Sequence, residues 1–176
     1  GSPLIRGAAG RLHEVKDYAT LIRSRKRLKR QHLNIELRAC GRGMSNENKE
    51  LVHLIKESAL NIGDVTLLGE VKTMSVFYEQ IDLFILSSKT EGFPNVLAEA
   101  ASHGCAVFST NVGDAPGIIN NSEHIAPVRS DEKLAECISK FIAYQPEVKK
   151  KIALATTVHV RNNFSIKRIA RCFSQV

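Results

Sequence analysis

The feature that most constrains this chain is a repeated pairing of a short apolar run with a stretch of helical periodicity. Residues 4–9 form a weak first strand, thinned by Gly7 and two alanines, and lead into a helix over 17–31 with Tyr18, Leu21 and Ile22 inward. Residues 35–40 end at Gly41-Arg42-Gly43 and lead into an amphipathic stretch, 46–59, with Leu51, Leu54 and Ile55 at helical spacing. Residues 65–68 close at Gly69, ahead of a brief helix over 74–80. The clearest strand, 83–86, is followed by a helix over 95–103 stopped by Gly104, a residue suited to helix ends. After a strand at 106–110 and a glycine-bearing loop, the pattern turns helical over 131–144, 146–163 and from Ser165 onward. Five strands separated by helices predict a parallel sheet covered on both faces, the Rossmann-like doubly wound α/β class.

Ligands of such sheets bind outside the carboxyl ends of the strands. Here those ends are residues 10–16, 41–44, 69–72, 87–94 and 111–117. Glycine recurs there, where backbone can approach a ligand closely, and Arg11, Lys16 and Lys72 add positive charge. Phosphate is the natural tenant of that rim. The helix after the fourth strand reads Val96-Leu97-Ala98-Glu99-Ala100-Ala101, apolar except at Glu99. An ionised carboxylate there is costly unless something donates to it. Ribose hydroxyls are suitable donors; a lysine or a backbone amide is the alternative. The same helix offers the N–H groups of Asn95, Val96 and Leu97 at its start, a seat for a diphosphate. Phe93 and Pro94 shape the turn that presents them.

The stretch from Glu91 to Ala100, E-G-F-P-N-V-L-A-E-A, sets two glutamates with seven residues between them and closely resembles the signature of the family 4 (group 1) retaining glycosyltransferases. Gly10-Arg11-Leu12-His13-Glu14-Val15-Lys16-Asp17 is similar to that family's phosphate-binding G-R-L-x-x-x-K-G, and Gly41-Arg42-Gly43 to its G-x-G. Residues 65–69 resemble the strand before its base-binding loop, and 112–119 resemble V-G-G-I-P-E-I-I. The resemblance runs from about Ile5 to the last helix. It implies a GT-B enzyme, two Rossmann-like domains across a cleft, of which this is the C-terminal, donor-binding half. On that reading Gly1-Ser2 is a cloning scar, residues 3–176 form the donor domain, and an N-terminal acceptor domain is absent from the chain.

By family role, Arg11 and Lys16 would hold the diphosphate of a nucleotide-sugar, Glu91 the hydroxyls of the transferred sugar, and Glu99 the ribose. Backbone of Gly92, Phe93 and Asn95 would lie beside sugar and phosphates, with Gly41 on the rim and Glu70 and Val71 near the base. The implied reaction transfers sugar, from a UDP-sugar by preference, to a glycan or lipid-linked acceptor, without metal or cofactor. A non-catalytic nucleotide-sugar-binding module and a GT-B-type sugar-nucleotide epimerase are the alternatives. Three places depart from the pattern. Asp17 follows Lys16 where glycine is usual, Asp114 and Gly117 replace glycine and glutamate, and residues 120–126 lack the usual D-G-x-N-G turn.

Composition adds exclusions. The cysteines, Cys40, Cys105, Cys137 and Cys172, form no C-x-x-C pair and read as buried thiols of a reducing cytoplasm. The histidines show no ligand spacing, so no metal site is expected. No apolar run approaches the roughly 20 residues of a membrane-spanning helix. The formal charge of +7 owes much to the run R-S-R-K-R-L-K-R at 23–30. It reads as a solvated helix face or as an attraction to anionic headgroups at the cytoplasmic membrane face. Nothing in the chain is spaced to read nucleic-acid bases.

Overall fold

The computed structural model describes residues 4–9 (as backbone), 16–61 and 63–164. Arg11 and His13, the helix expected from Ser165, and Cys172 lie outside the described residues. The elements run β1 (Leu4–Ala9), α1 (Tyr18–Arg30), β2 (Ile35–Cys40), α2 (Lys49–Glu57), β3 (Val65–Leu67), α3 (Met74–Glu79), β4 (Leu83–Leu86), α4 (Asn95–Ser102), β5 (Ala106–Thr110), α5 (Ala115–Ile119), β6 (Ile125–Ala126), α6 (Asp131–Ile142) and α7 (Pro146–Asn163). The six strands are parallel in the order β3-β2-β1-β4-β5-β6. The chain therefore reverses direction across the sheet between β1 and β4, which brings the connections after these two strands to one crevice.

The strands alternate between two cores, as a period of two requires. Leu83, Ile85, Ala106 and Phe108 face a cluster with α1 and α6, whereas Phe84, Leu86 and Val107 face one with α3, α4, α5 and α7. Burial on both sides explains why β4 and β5 carry no exposed residue. Helix starts are fixed locally. Asn48 and Ser130 cap α2 and α6 through the N–H groups of Leu51 and Lys133, contacts worth about 1 kcal/mol each.

Two elements depart from the expected pattern. Among the described residues the strands number six rather than five, and residues 115–119 form the short helix α5. β6 is two residues long, too short to show periodicity, and exists through its pairing of Ile125 and Ala126 with Ser109 and Thr110. Asn120 and Asn121 do the work of the missing D-G-x-N-G turn. Asn120 takes a left-handed φ of 51° that ends α5, and the Asn121 side chain accepts from the Glu123 N–H at 3.1 Å.

The basic run also needs correction, because it is not uniformly solvated. Arg25 is 4% exposed and donates to the Ile35 carbonyl and to Asp64 at 2.9 Å. Lys29 reaches the same carboxylate at 2.7 Å. Cys40 and Cys105 are buried, as expected, and burial pushes both thiols up to about 12.

Candidate donor-binding site

The crevice between β1 and β4 is built from Lys16 on one side and the 87–94 loop on the other. Lys16 Nζ lies 2.5 Å from Glu91 Oε1, and Ser88 Oγ donates to that same oxygen at 2.8 Å. Both ions are largely shielded, with side chains 21% and 15% exposed. Their backbones are tied as well. Ser87 Oγ donates to the carbonyls of Lys16 at 2.9 Å and Asp17 at 3.1 Å, and Thr110 Oγ1 donates to the Ser88 carbonyl at 2.6 Å. Ser87, Ser88 and Thr110 are buried, so this hydroxyl frame locks the loop to the ends of β4 and β5. Sequence reasoning missed these residues. Their signal was hydroxyl side chains at the carboxyl ends of two buried strands.

Asp17 adopts φ 48°, the left-handed region where glycine is at ease and aspartate tolerable. Its carboxylate accepts from the Thr20 N–H at 3.3 Å and from the Thr20 hydroxyl at 2.6 Å, capping α1. The exchange of glycine for aspartate after Lys16 thus keeps the turn and adds a cap.

The 111–117 loop supports Glu91 through backbone. Asp114 N–H donates to the Gly92 carbonyl at 2.9 Å, a contact indifferent to the side chain that departs from the family pattern. Gly113 has φ 45°, and a Cβ there would come within 2.0 Å of the Gly92 carbonyl oxygen and 2.4 Å of that of Glu91. Only glycine fits.

Pro94 precedes α4, whose first turn differs from the expected one. The Leu97 N–H donates to the Pro94 carbonyl at 3.1 Å, so it is engaged within the turn. That tightening to an i−3 contact is common at helix ends and leaves the Asn95 and Val96 N–H groups for the rim. The Asn95 side-chain oxygen is buried without a partner. Phe93 packs against Phe164, ring centres 5.3 Å apart. One turn further in, Glu99 is half-buried, and burial pushes its carboxyl up to about 7. Among the described residues no cation or amide takes that carboxylate.

Beyond β2 and β3, the Gly41 N–H donates to the Gly69 carbonyl at 2.8 Å and the Gly69 N–H to that of Met44 at 2.7 Å. Gly41 and Gly69 both take positive φ, 127° and 68°. This brings Gly41 and the Glu70-Val71 segment to one rim, where Arg42 and Glu70 pair at 3.3 Å as exposed ions. Among the described residues no cluster of three or more His, Cys, Asp or Glu side chains is placed to hold a metal. Arg11, expected beside Lys16, lies outside the described residues.

The model of the family described as glycosyl transferases group 1 matches residues 4–143. The chain belongs to that family. A Campylobacter jejuni relative, an N-acetylgalactosaminyltransferase named for a diphospho-undecaprenol substrate, is 37% identical over 59% of this chain and 27% of its own length. The fold matches the C-terminal domain of a group 1 family protein from Francisella tularensis, with TM-score 0.79 and 22% identity over 93% of this chain and 87% of that one. It also matches the Anabaena protein HepE, solved in complex with UDP-glucose, with TM-score 0.83 and 20% identity over 99% of this chain and 50% of that one. The chain spans about half or less of the curated relatives it matches.

Proposed function

We propose that this domain seats a nucleotide-diphosphate sugar, a UDP-sugar by preference, for a retaining glycosyltransferase of polysaccharide or glycoconjugate assembly. The acceptor, a glycan or a lipid-linked saccharide, is held by a second domain outside this chain. The observation that carries the reading is the Lys16–Glu91 pair at the sheet's reversal point, framed by buried hydroxyls and set beside the start of α4. A relative named for a lipid-linked substrate and a structural neighbour solved with UDP-glucose support it.

Breaking the sugar–phosphate bond leaves negative charge on the departing nucleoside diphosphate. Fixed positive groups lower that barrier because they need no rearrangement as the charge develops. Lys16 meets the phosphates; an ammonium has three donors, so Glu91 occupies one and leaves others for phosphate oxygens. Arg11 adds a planar fork, and the Asn95 and Val96 N–H groups add the positive end of α4. With this charge supplied by the chain, the reaction requires no metal. Glu91, whose second oxygen is not engaged by Lys16 or Ser88, accepts from the sugar's hydroxyls, and Glu99 accepts from the ribose. Gly41, Glu70 and Val71 line the base end.

Calorimetry tests the reading on the 176-residue chain. UDP should bind, Lys16→Ala should weaken it by roughly tenfold or more, and uridine should be unaffected, because only the charge-assisted phosphate contact is removed. Equal losses for UDP and uridine, or no UDP binding by the folded chain, would refute it.

A further inference from the structure

Between Arg23 and Arg30 the fold divides the cations of α1 between two tasks. Arg25 and Lys29 share Asp64 and brace the helix against β2 and the turn before β3. Arg23, Lys26, Arg27 and Arg30 fall at i, i+3, i+4 and i+7, one helix face, and all four line a groove of about 310 Å³ between α1, the end of α2 and the start of α6. Of the two carboxylates lining that groove, Asp131 pairs with Arg27 at 2.5 Å, while Glu57 lies 3.0 Å from the His53 imidazole. Arg23, Lys26 and Arg30 make no ion pair among the described residues.

Like charges at these spacings repel and weaken a helix. The helix dipole offsets part of this for Arg27 and Arg30 in the last turn, but its effect fades within a turn and does not reach Arg23 or Lys26. No ion pair among the described residues reaches Arg23 or Lys26, so their charge is open to an external anion. We propose that this face of α1 is a docking surface for an anionic lipid bilayer, whose headgroup phosphates meet Arg23, Lys26 and Arg30. The helix start that lines the groove, that of α6, carries Asp131 and Glu132 in its first turn, which disfavours a discrete phosphate seated there. No aromatic side chain lines it to stack a base, which disfavours nucleic acid. Two of the three free cations are arginines, whose forks match phosphate oxygens.

The geometry gives the surface a use. α1 starts two residues after Lys16, so Arg23 lies about 10 Å along the helix from the donor rim and Arg30 about 20 Å. A bilayer against this face stays close to the crevice, where a lipid-linked acceptor would be presented. That use rests on the donor-site proposal; the docking does not.

The test is co-sedimentation of the 176-residue chain with phosphatidylcholine vesicles, with and without phosphatidylglycerol, at low and high salt. The triple variant Arg23→Gln/Lys26→Gln/Arg30→Gln is compared with Lys149→Gln/Lys150→Gln/Lys151→Gln on α7, which removes the same charge elsewhere. Melting temperatures confirm that both fold. Binding should require phosphatidylglycerol, weaken with salt, fall roughly 100-fold in the groove variant and persist in the α7 variant. No binding at low salt, or equal losses in the two variants, would overturn the proposal. So would stoichiometric capture of inorganic polyphosphate that the groove variant abolishes, since the partner would then be a discrete soluble anion. UDP titrations of the same samples keep the two proposals separable, because vesicle binding without UDP binding counts only against the donor site.

Discussion

At Gly113 the candidate site depends on a hydrogen atom. Any side chain there would strike the carbonyls of Gly92 and Glu91, and the φ of 45° penalises it further. Gly113→Ala should therefore destabilise the domain by about 2 kcal/mol or more and displace the loop that carries Glu91. Gly92→Ala is the control, since its Cβ would meet nothing within 4 Å and should leave the melting temperature nearly unchanged. Similar melting temperatures for the two variants would mean that the 111–117 loop does not hold Glu91. The candidate site was legible at Lys16, Glu91 and Glu99 because a long motif marks charged residues where the fold ends its strands. The frame around them was not. Ser87 and Thr110 act through carbonyls far away in sequence, those of Lys16, Asp17 and Ser88, and these pairings exist only once β1, β4 and β5 lie side by side.

Among the elements, α1 shows most clearly what pattern reading can and cannot reach. Its extent followed from Asp17 and the spacing of Tyr18, Leu21 and Ile22, yet the division of its cations depends on Asp64, which lies beyond two further elements. β4 was legible because an uninterrupted apolar run leaves no other reading, and β5 because Ala106-Val107-Phe108 follows the helix stop at Gly104. β6 was not, because its two residues acquire a strand's conformation from β5. The brace itself yields a contrast. Asp64→Ala strands the buried guanidinium of Arg25 and should cost about 3–5 kcal/mol. Arg25→Met removes a side chain whose Nε and Nη1 are buried without partners, while Asp64 keeps Lys29 and the Asn61 N–H at 2.8 Å. That change should fall within about 1 kcal/mol of the parent in urea denaturation. A larger loss for Arg25→Met than for Asp64→Ala would reverse this account of which partner needs the other.

Across the whole molecule, the titrations of a buried histidine and a half-buried glutamate oppose one another, one on each side of the sheet. His124 is 2% exposed, stacked on Phe108 with ring centres 4.1 Å apart, and its Nδ1 lies 2.9 Å from the Val107 carbonyl. Burial holds its pKa below the usual 6.5, against the opposing pull of that carbonyl and of Glu123. The unfolded chain therefore binds the proton first, and the stability contributed by neutral His124 is complete above about pH 6.5 and lost as pH falls. Glu99 works in the other direction. Burial raises its pKa from 4.5 to about 7, so the folded chain holds a proton that the unfolded one has released. Stability from that proton is complete below about pH 4.5 and lost as pH rises through 7. Between these limits the slopes partly cancel, and the parent's melting temperature should vary little from pH 5 to 7. Glu99→Gln removes one slope. Its melting temperature should match the parent's near pH 4.5, exceed it increasingly up to pH 7, and hold that advantage at pH 8. His124→Phe keeps the stacking but not the hydrogen bond, so its deficit should be largest above pH 6.5 and shrink below it. A difference between Glu99→Gln and the parent that is constant from pH 5 to 8 would show that Glu99 does not titrate in that range and would overturn this account.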